Sequence, residues 1–523
     1  HDMVKGSLRE ATGYTNAYTF RNTLQYTGEY AGKHYISLFA GQEIQERTAY
    51  NSFNYSPVFD EEHRIVGFPE MDGIDGSEIN YNALGGTGKS VSKMSSFFAN
   101  ASYSYLDKYI LTGALRYDGS DIIGNDNQFT PLWNVGLRLN LHREEFMKRW
   151  MWVDQFAVRG GFGYTGSIDK NALPFVVMTL GQSVVYDGQT VPTSFSYPNP
   201  NVKWQTKQDM NVGLDLSLFD YRLELGVNYY HNITRDVLDR KALPYSSGRN
   251  EVTENVADIY NSGWEIDLGV TLLKNKSFQW YAKANIAIND NKVKNTYYKE
   301  TKDLPKATLS NAHQFVENQP VNGWYGYKFA GINPINGAVM TYTGNGEATL
   351  DMSVSGATWP TPSVFYLGNL TPPVVGGFST SANWKQLIFS ANFEFKTGHK
   401  IKSFNTFRSL DARNRHTSEA NRWREPGDIT NVPAMSEAFT TYSSYMYDIL
   451  LEKGNYLRCS YMTLGYNLKP EWLHKIGFST ARLSFTAKNL FTISSYSGID
   501  PALMGSFGYP NSRKYTITLN VGF

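Results

Sequence analysis

Side chains able to do chemistry are scattered along this sequence rather than gathered. Nine histidines run from His1 to His474 with no pair at metal-ligand spacing, and no CxxC, HExxH or phosphate-loop pattern occurs. The single cysteine, Cys459, lies in the apolar-rich run Tyr456-Leu457-Arg458-Cys459 and reads as a small hydrophobe that forms no intrachain disulfide. No catalytic centre, resident metal or cofactor is therefore expected. Asp118, Asp121, Asn125, Asp126 and Asn127 crowd one stretch and offer oxygen ligands of the kind Ca²⁺ takes. Their spacing does not fit an EF-hand, which favours a solvated turn that ends a strand.

Aromatic rings are what the chain has in quantity: 36 Tyr, 30 Phe and 11 Trp, 15% of all residues. Three groups fall in stretches that read as loops. They are Tyr50, Phe53, Tyr55 and Phe59; Trp324, Tyr325 and Tyr327; and Tyr442, Tyr445 and Tyr447. Such rings stack on sugar faces or grip peptide side chains, which makes them candidate contacts for a solute or partner. The competing reading is that they pack inside their own loops or form a girdle at a lipid–water boundary.

Strands must position these groups. At the C-terminus Tyr515, Ile517, Leu519, Val521 and Phe523 alternate strictly with Thr516, Thr518, Asn520 and Gly522, so one face of the last strand is apolar and the other small or polar. A transmembrane barrel closes through its final strand, and this stretch is the candidate closure and insertion strand. Reading for alternation between turn signals gives about fifteen strands long enough to cross a bilayer when tilted. They lie near 14–27, 33–47, 94–107, 109–118, 131–141, 153–166, 204–218, 221–236, 258–274, 277–291, 374–384, 387–398, 455–468, 478–491 and 513–523.

The connections alternate short and long. Links at 28–32, 106–108, 219–220, 275–276 and 385–386 take turns with stretches at 48–93, 167–203, 237–257, 291–373 and 399–454. Outer-membrane barrels have short periplasmic turns and long extracellular loops, whereas a soluble sandwich has no reason to sort its loops by length. On the strands, Met210, Val212 and Leu214 oppose Asn211, Gly213 and Asp215, and Trp264, Ile266 and Leu268 oppose Glu265, Asp267 and Gly269. Inward carboxylates such as Asp215, Glu224, Glu265, Asp267 and Glu394 imply a wet lumen, where they are solvated or paired.

Composition agrees. Lys+Arg 49 against Asp+Glu 48 lacks the basic excess of a nucleic-acid protein, so no nucleic-acid partner is expected. No uninterrupted apolar run approaches the roughly 20 residues of a membrane helix, and the low mean hydropathy of −0.41 does not exclude a barrel, in which only alternate residues face lipid. No signal peptide follows His1, and an odd strand count leaves one edge open in lipid, so the chain is expected to continue before His1; one unrecognised strand is the alternative.

Several stretches together resemble the C-terminal part of the SusC-like (SusC/RagA) TonB-dependent outer-membrane transporters of Bacteroidetes. They include Arg116-Tyr117-Asp118-Gly119-Ser120 before Phe129-Thr130-Pro131, Asn211-Val212-Gly213-Leu214-Asp215, Arg422-Trp423 with Pro426-Gly427-Asp428, Tyr456-Leu457-Arg458, Lys488-Asn489-Leu490-Phe491-Thr492, Ser497-Gly498-Ile499-Asp500-Pro501, and Asn520-Val521-Gly522-Phe523. Their order and spacing across almost the whole chain carry the likeness. The resemblance implies an all-β, antiparallel transmembrane barrel of 22 strands filled by an N-terminal plug, of which this chain holds about the last 15. Residues 1–523 would be its C-terminal portion, without plug, TonB-binding segment or first strands. It further implies TonB-driven import of an oligosaccharide or oligopeptide, with a SusD-like surface lipoprotein over the extracellular loops. A passive porin-type barrel and a soluble glycan-binding β-protein are the alternatives.

Overall fold

In the computed structural model the described residues are 6–60, 65–67, 85–121, 123, 128–167, 178–186, 189–195, 203–242, 246, 251–301, 315–350, 363–403, 420–434, 447–473, 477–504 and 508–523. Most form strands. In chain order these are β1 (Gly6–Tyr30), β2 (His34–Asp60), β3 (Ile65–Gly67), β4 (Gly85–Tyr105), β5 (Tyr109–Ser120), β6 (Phe129–Asn140), β7 (Val153–Ser167), β8 (Met178–Tyr186), β9 (Gln189–Phe195), β10 (Gln205–Leu218), β11 (Leu223–Ala242), β12 (Glu251–Lys274) and β13 (Phe278–Lys294). Five short ones follow: β14 (Gly323–Gly326), β15 (Phe329–Ile332), β16 (Val339–Tyr342), β17 (Ala348–Leu350) and β18 (Phe365–Asn369). The series ends with β19 (Val374–Trp384), β20 (Leu387–Thr397), β21 (Lys400–Lys402), β22 (Leu451–Lys453), β23 (Tyr456–Asn467), β24 (Thr480–Ser494) and β25 (Lys514–Gly522).

Each segment expected from alternation forms a strand, and several run further than expected. β2 continues to Asp60, and β11 and β12 leave only residues 243–250 between them, so the long loops expected at 48–93 and 237–257 are largely strand. The cause is visible in the sequence. Phe53 and Tyr55 go on alternating with Ser52, Asn54 and Ser56 past residue 47, and the partner strand β1 is equally long.

The chain forms two compact units: His1–Ser104 with Thr112–Val135 and Gly166–Trp204, and Tyr105–Leu111 with Gly136–Thr165 and Gln205–Phe523. In the first, β1 and β2 pair antiparallel from Tyr30↔His34 out to Gly6↔Phe59, and β8 and β9 make a separate hairpin. In the second, β10, β11, β12, β13, β19, β20, β23, β24 and β25 pair neighbour to neighbour, all antiparallel.

Register sorts the connections of the second unit onto two rims. Leu218↔Leu223 and Trp384↔Leu387 flank short links, Asn467↔Arg482 flanks a moderate one, and Thr480↔Gly522 brings the C-terminal end to that same rim. Phe219, Asp220, Tyr221 and Lys385 make these turns tight by adopting positive φ. The long connections, 295–373, 398–455 and 495–513, all leave from the opposite rim.

The hydrophobic distribution of the sheet is inverted relative to a soluble protein. Trp264, Leu268, Met210 and Val212 are exposed, and Ile517 and Leu519 of β25 are 74% and 62% exposed. An apolar face of that extent is stable against lipid and not against water. The largest fully buried side chains, Tyr325, Tyr327 and Tyr447, lie outside these long strands, in the connections.

Candidate functional site: a welded loop platform

On the rim of the second unit opposite its short links, the long connections fold against one another. β14 pairs with β18, β15 with β16 and β16 with β17, all within the β13–β19 connection. β21 and β22 join the two ends of the β20–β23 connection, Lys400 facing Lys453 and Lys402 facing Leu451. Under these small sheets Tyr298, Val316, Tyr325, Tyr327, Ile332, Val339, Val364 and Tyr447 form one apolar core, with Trp423 packed on its edge. Burying so many large side chains outweighs the entropy of ordering a long connection.

Polar contacts then tie the connections together. Trp324 Nε1 donates to Lys400 O at 2.8 Å, and Phe329 N donates to Asp448 Oδ1 at 2.9 Å while Asp448 N returns a bond to Tyr327 O at 3.0 Å. Trp423 Nε1 and Gly427 N both donate to Pro334 O. The last connection joins through Tyr496, whose hydroxyl donates to Lys402 O at 3.1 Å, and through Ser497, whose N and Oγ reach the Glu452 carboxylate at 2.7 and 2.6 Å. Burial works against charge on Glu452, but the bonds from Ser403 and Ser497 prevail and lower its pKa. Tyr366, half-buried beside Tyr325, has its hydroxyl pushed up to about 12 by burial.

The platform takes in Trp324, Tyr325, Tyr327 and Tyr447, and buries them: Tyr325 is 1% exposed, Tyr327 and Tyr447 0%. Their rings hold the platform together, Tyr327 and Tyr447 lying 6.0 Å apart. Tyr50 and Phe53 are not loop residues at all; they stand on β2, where Tyr50 stacks on Tyr14 at 4.8 Å and Arg9 covers the Phe53 ring. Tyr442 and Tyr445, and the side chains of Tyr55 and Phe59, lie outside the described residues.

In the second unit the carboxylates of the face expected to be wet are paired. Asp215 meets Arg138 at 2.9 Å and Arg159 at 3.5 Å, Glu265 accepts from Asn228, Asp267 faces Lys283 at 4.0 Å, and Glu394 faces Arg458 at 3.8 Å. Glu224 lies against the Tyr281 hydroxyl. In the Asp/Asn stretch, Asp118 is buried and chelated by Arg116 Nε at 2.6 and 2.8 Å, and Asp121 caps Lys93 N. Both are thereby occupied within the protein; Asn125, Asp126 and Asn127 lie outside the described residues. Among the described residues no group of His, Cys, Asp or Glu is placed to hold a metal. Cys459 is buried on β23, as a small hydrophobe would be.

Asp448, Glu452 and Tyr366 were not singled out from sequence. Glu452 and Ser497 belong to different connections, and nothing in their local spacing announces the contact.

Comparison with known proteins gives a consistent pattern. The family described as TonB dependent receptor-like, beta-barrel matches residues 4–394. TonB-dependent receptor P3 of Formosa agariphila is 27% identical over 96% of this chain and 52% of its own length. TonB-dependent receptor SusC of Bacteroides thetaiotaomicron is 23% identical over 82% of this chain and 43% of its own. The RagAB peptide importer in its open-open state superposes with a TM-score of 0.80 at 24% identity, over 99% of this chain and 56% of that one. The chain thus spans about half the length of the curated relatives it matches.

Proposed function

This chain belongs to the TonB-dependent receptor-like β-barrel family and resides in the outer membrane, and from that premise we propose that it supplies wall, loop platform and closing strand to an energised importer. A plug and a TonB-binding segment, contributed by sequence upstream of residues 1–523, complete the transporter. The cargo is a large nutrient, an oligosaccharide or an oligopeptide. A SusD-like surface lipoprotein seats over the platform and encloses the cargo, and TonB withdraws the plug segment to release it inward.

One observation supports this reading above others. In the second unit the 219–222 and 385–386 links lie on the rim of the C-terminal end, and the three long connections at the other rim are tied into a folded platform by Trp324–Lys400, Tyr496–Lys402 and Ser497–Glu452. A passive pore has no use for a rigid platform with its own hydrophobic core, whereas a lid-bearing importer needs a fixed seat.

The test is uptake by cells carrying the native full-length polypeptide. Labelled oligosaccharide and oligopeptide pools are supplied with and without a functional TonB. Uptake that vanishes with the gene and with TonB is the expected result. Uptake indifferent to TonB, together with a steady open conductance of the purified protein in planar bilayers, would replace this reading with that of a passive pore.

A further inference from the structure

Beneath the platform the second unit holds a cleft of about 530 Å³. Its floor is the long-loop end of β12 and β13, where Asn261, Asn289 and Asn291 share one face. Cross-strand pairing of Asn261 with Asn291 and of Glu265 with Ala287 shows that this is the face carrying Glu265 and Asp267, the polar one. Its roof is residues 318–322 and 369–373, with Asn318, Asn322 and Asn369. A volume of that size holds a ligand of small-molecule dimensions.

Asn291 and Asn322 donate within the protein, to Asn261 Oδ1 and Thr371 Oγ1, while the hydrogen bonds of the other four amides follow one rule. The side-chain oxygen of Asn261 accepts from Asn291 Nδ2 at 2.6 Å, and that of Asn289 accepts from the Tyr230 hydroxyl at 2.7 Å. The oxygen of Asn318 accepts from Lys294 Nζ, and that of Asn369 from the Tyr366 hydroxyl. In each case the framework takes the oxygen, and the amide NH₂ has no acceptor among the described residues. The cleft therefore has unspent donors on floor and roof. Its charges cancel locally, Lys292 donating to Asp290 at 2.6 Å. Pro320, Pro372 and Pro373 add apolar faces between the donors.

We propose that this asparagine cleft is a binding site for a neutral carbohydrate, one or two sugar units of the cargo held as it enters. The proposal rests on the importer reading above and assigns that cargo a contact site. Donor density decides between carbohydrate and peptide. A sugar ring presents an oxygen on nearly every carbon, and so meets several NH₂ groups within one cleft. An extended peptide turns alternate carbonyls to opposite sides, spaced about 3.3 Å per residue, and offers a cleft of this length only two or three. Sugar C–H faces also pack on the prolines, and a neutral ligand matches a site whose charges are already paired.

Asn→Asp substitution separates this role from a structural one. It keeps the oxygen that the framework uses and removes the NH₂ that the ligand would use. The experiment takes the native full-length receptor, extracted in detergent with any lipoprotein that accompanies it, and measures binding calorimetrically. The probes are neutral hexasaccharides of glucose in several linkages and, in parallel, a neutral Gly-Ser hexapeptide. At least one hexasaccharide is expected to bind, and Asn261→Asp combined with Asn289→Asp is expected to weaken it at least tenfold. The heat-modifiable mobility of the folded barrel should stay unchanged. Asn369→Asp, on the roof, should weaken it independently and so guards against a local folding defect on the floor. Equal affinity in parent and Asp variants, absence of binding by every hexasaccharide, or binding of the hexapeptide alone would each overturn the proposal. If TonB-dependent uptake persists in those cases, the site assignment fails while the importer stands; if uptake is absent, the importer reading itself fails.

Discussion

Arg458 on β23 and Asp500 in the last long connection form a buried ion pair, Nη2 donating to Oδ1, with side chains only 6% and 8% exposed. Asp500 also accepts from Ala502 N at 2.9 Å and from Asn511, while Arg458 donates to Thr492 at 3.1 Å and faces the half-exposed Glu394 at 3.8 Å. One carboxylate thus caps a turn of its own connection and fastens it to the wall. Asp500→Ala leaves a guanidinium buried with only a distant partner, and should destabilise the folded protein by about 3 kcal/mol. The urea midpoint of the detergent-folded protein reads this. Replacing both partners, Asp500→Leu with Arg458→Met, should recover most of the loss, because no unpaired charge then remains.

The platform core predicts a local effect. Tyr327→Ala removes a wholly buried ring that touches Tyr447, and should cost about 3–5 kcal/mol of platform stability. Hydrogen exchange should accelerate across 315–350 and 420–434 while β23 and β24 stay protected. Uniform acceleration over both regions would show that platform and wall unfold together.

His399 predicts a pH dependence. Between β20 and β21 its ring is buried, Nδ1 has no partner among the described residues, and burial together with nearby Lys396 holds its pKa below the ordinary 6.5. The folded platform therefore binds fewer protons than the unfolded one at mildly acid pH. Its contribution is fully present above about pH 6.5 and is lost as pH falls below that value. Platform exchange rates measured from pH 8 to 5 should rise on the acid side, and His399→Gln should flatten the profile. Gly454→Ala would put a methyl 2.4 Å from His399 Nε2, and should loosen the same joint at every pH.

The last strand, β25, predicts an asymmetry between neighbours. Leu519→Lys sets a charge on the lipid face and should lower stability in bilayers by about 2–4 kcal/mol if the residue lies near the midplane. Thr518→Lys, on the other face, should be nearly silent. Folded fractions in liposomes, followed by heat-modifiable mobility, compare the two directly.

What could be read from the sequence followed from periodicity. Period-two alternation located β10, β12 and β25 because one face of each must meet lipid, and that pattern is local. Extent was harder to read. Alternation beyond residue 47 looked like loop because a bilayer needs only about ten residues per strand, and nothing local says that β1 accompanies β2 outward. The platform was hidden for another reason. β21 and β22 are three residues each and come from opposite ends of one connection. Trp324-Tyr325 in a polar stretch suits an exposed binding surface as well as a buried core, and only the distant Tyr366 and Tyr447 decide for burial.

The joining of the last connection to the other two has a consequence for assembly. Tyr496 can reach Lys402, and Asp500 can reach Arg458, only after β24 has found its register on β23. A chain whose β24 is misaligned on β23 would have an incomplete platform. The pairing of β24 on β23 is thus reported at the far rim, in whether the platform is complete.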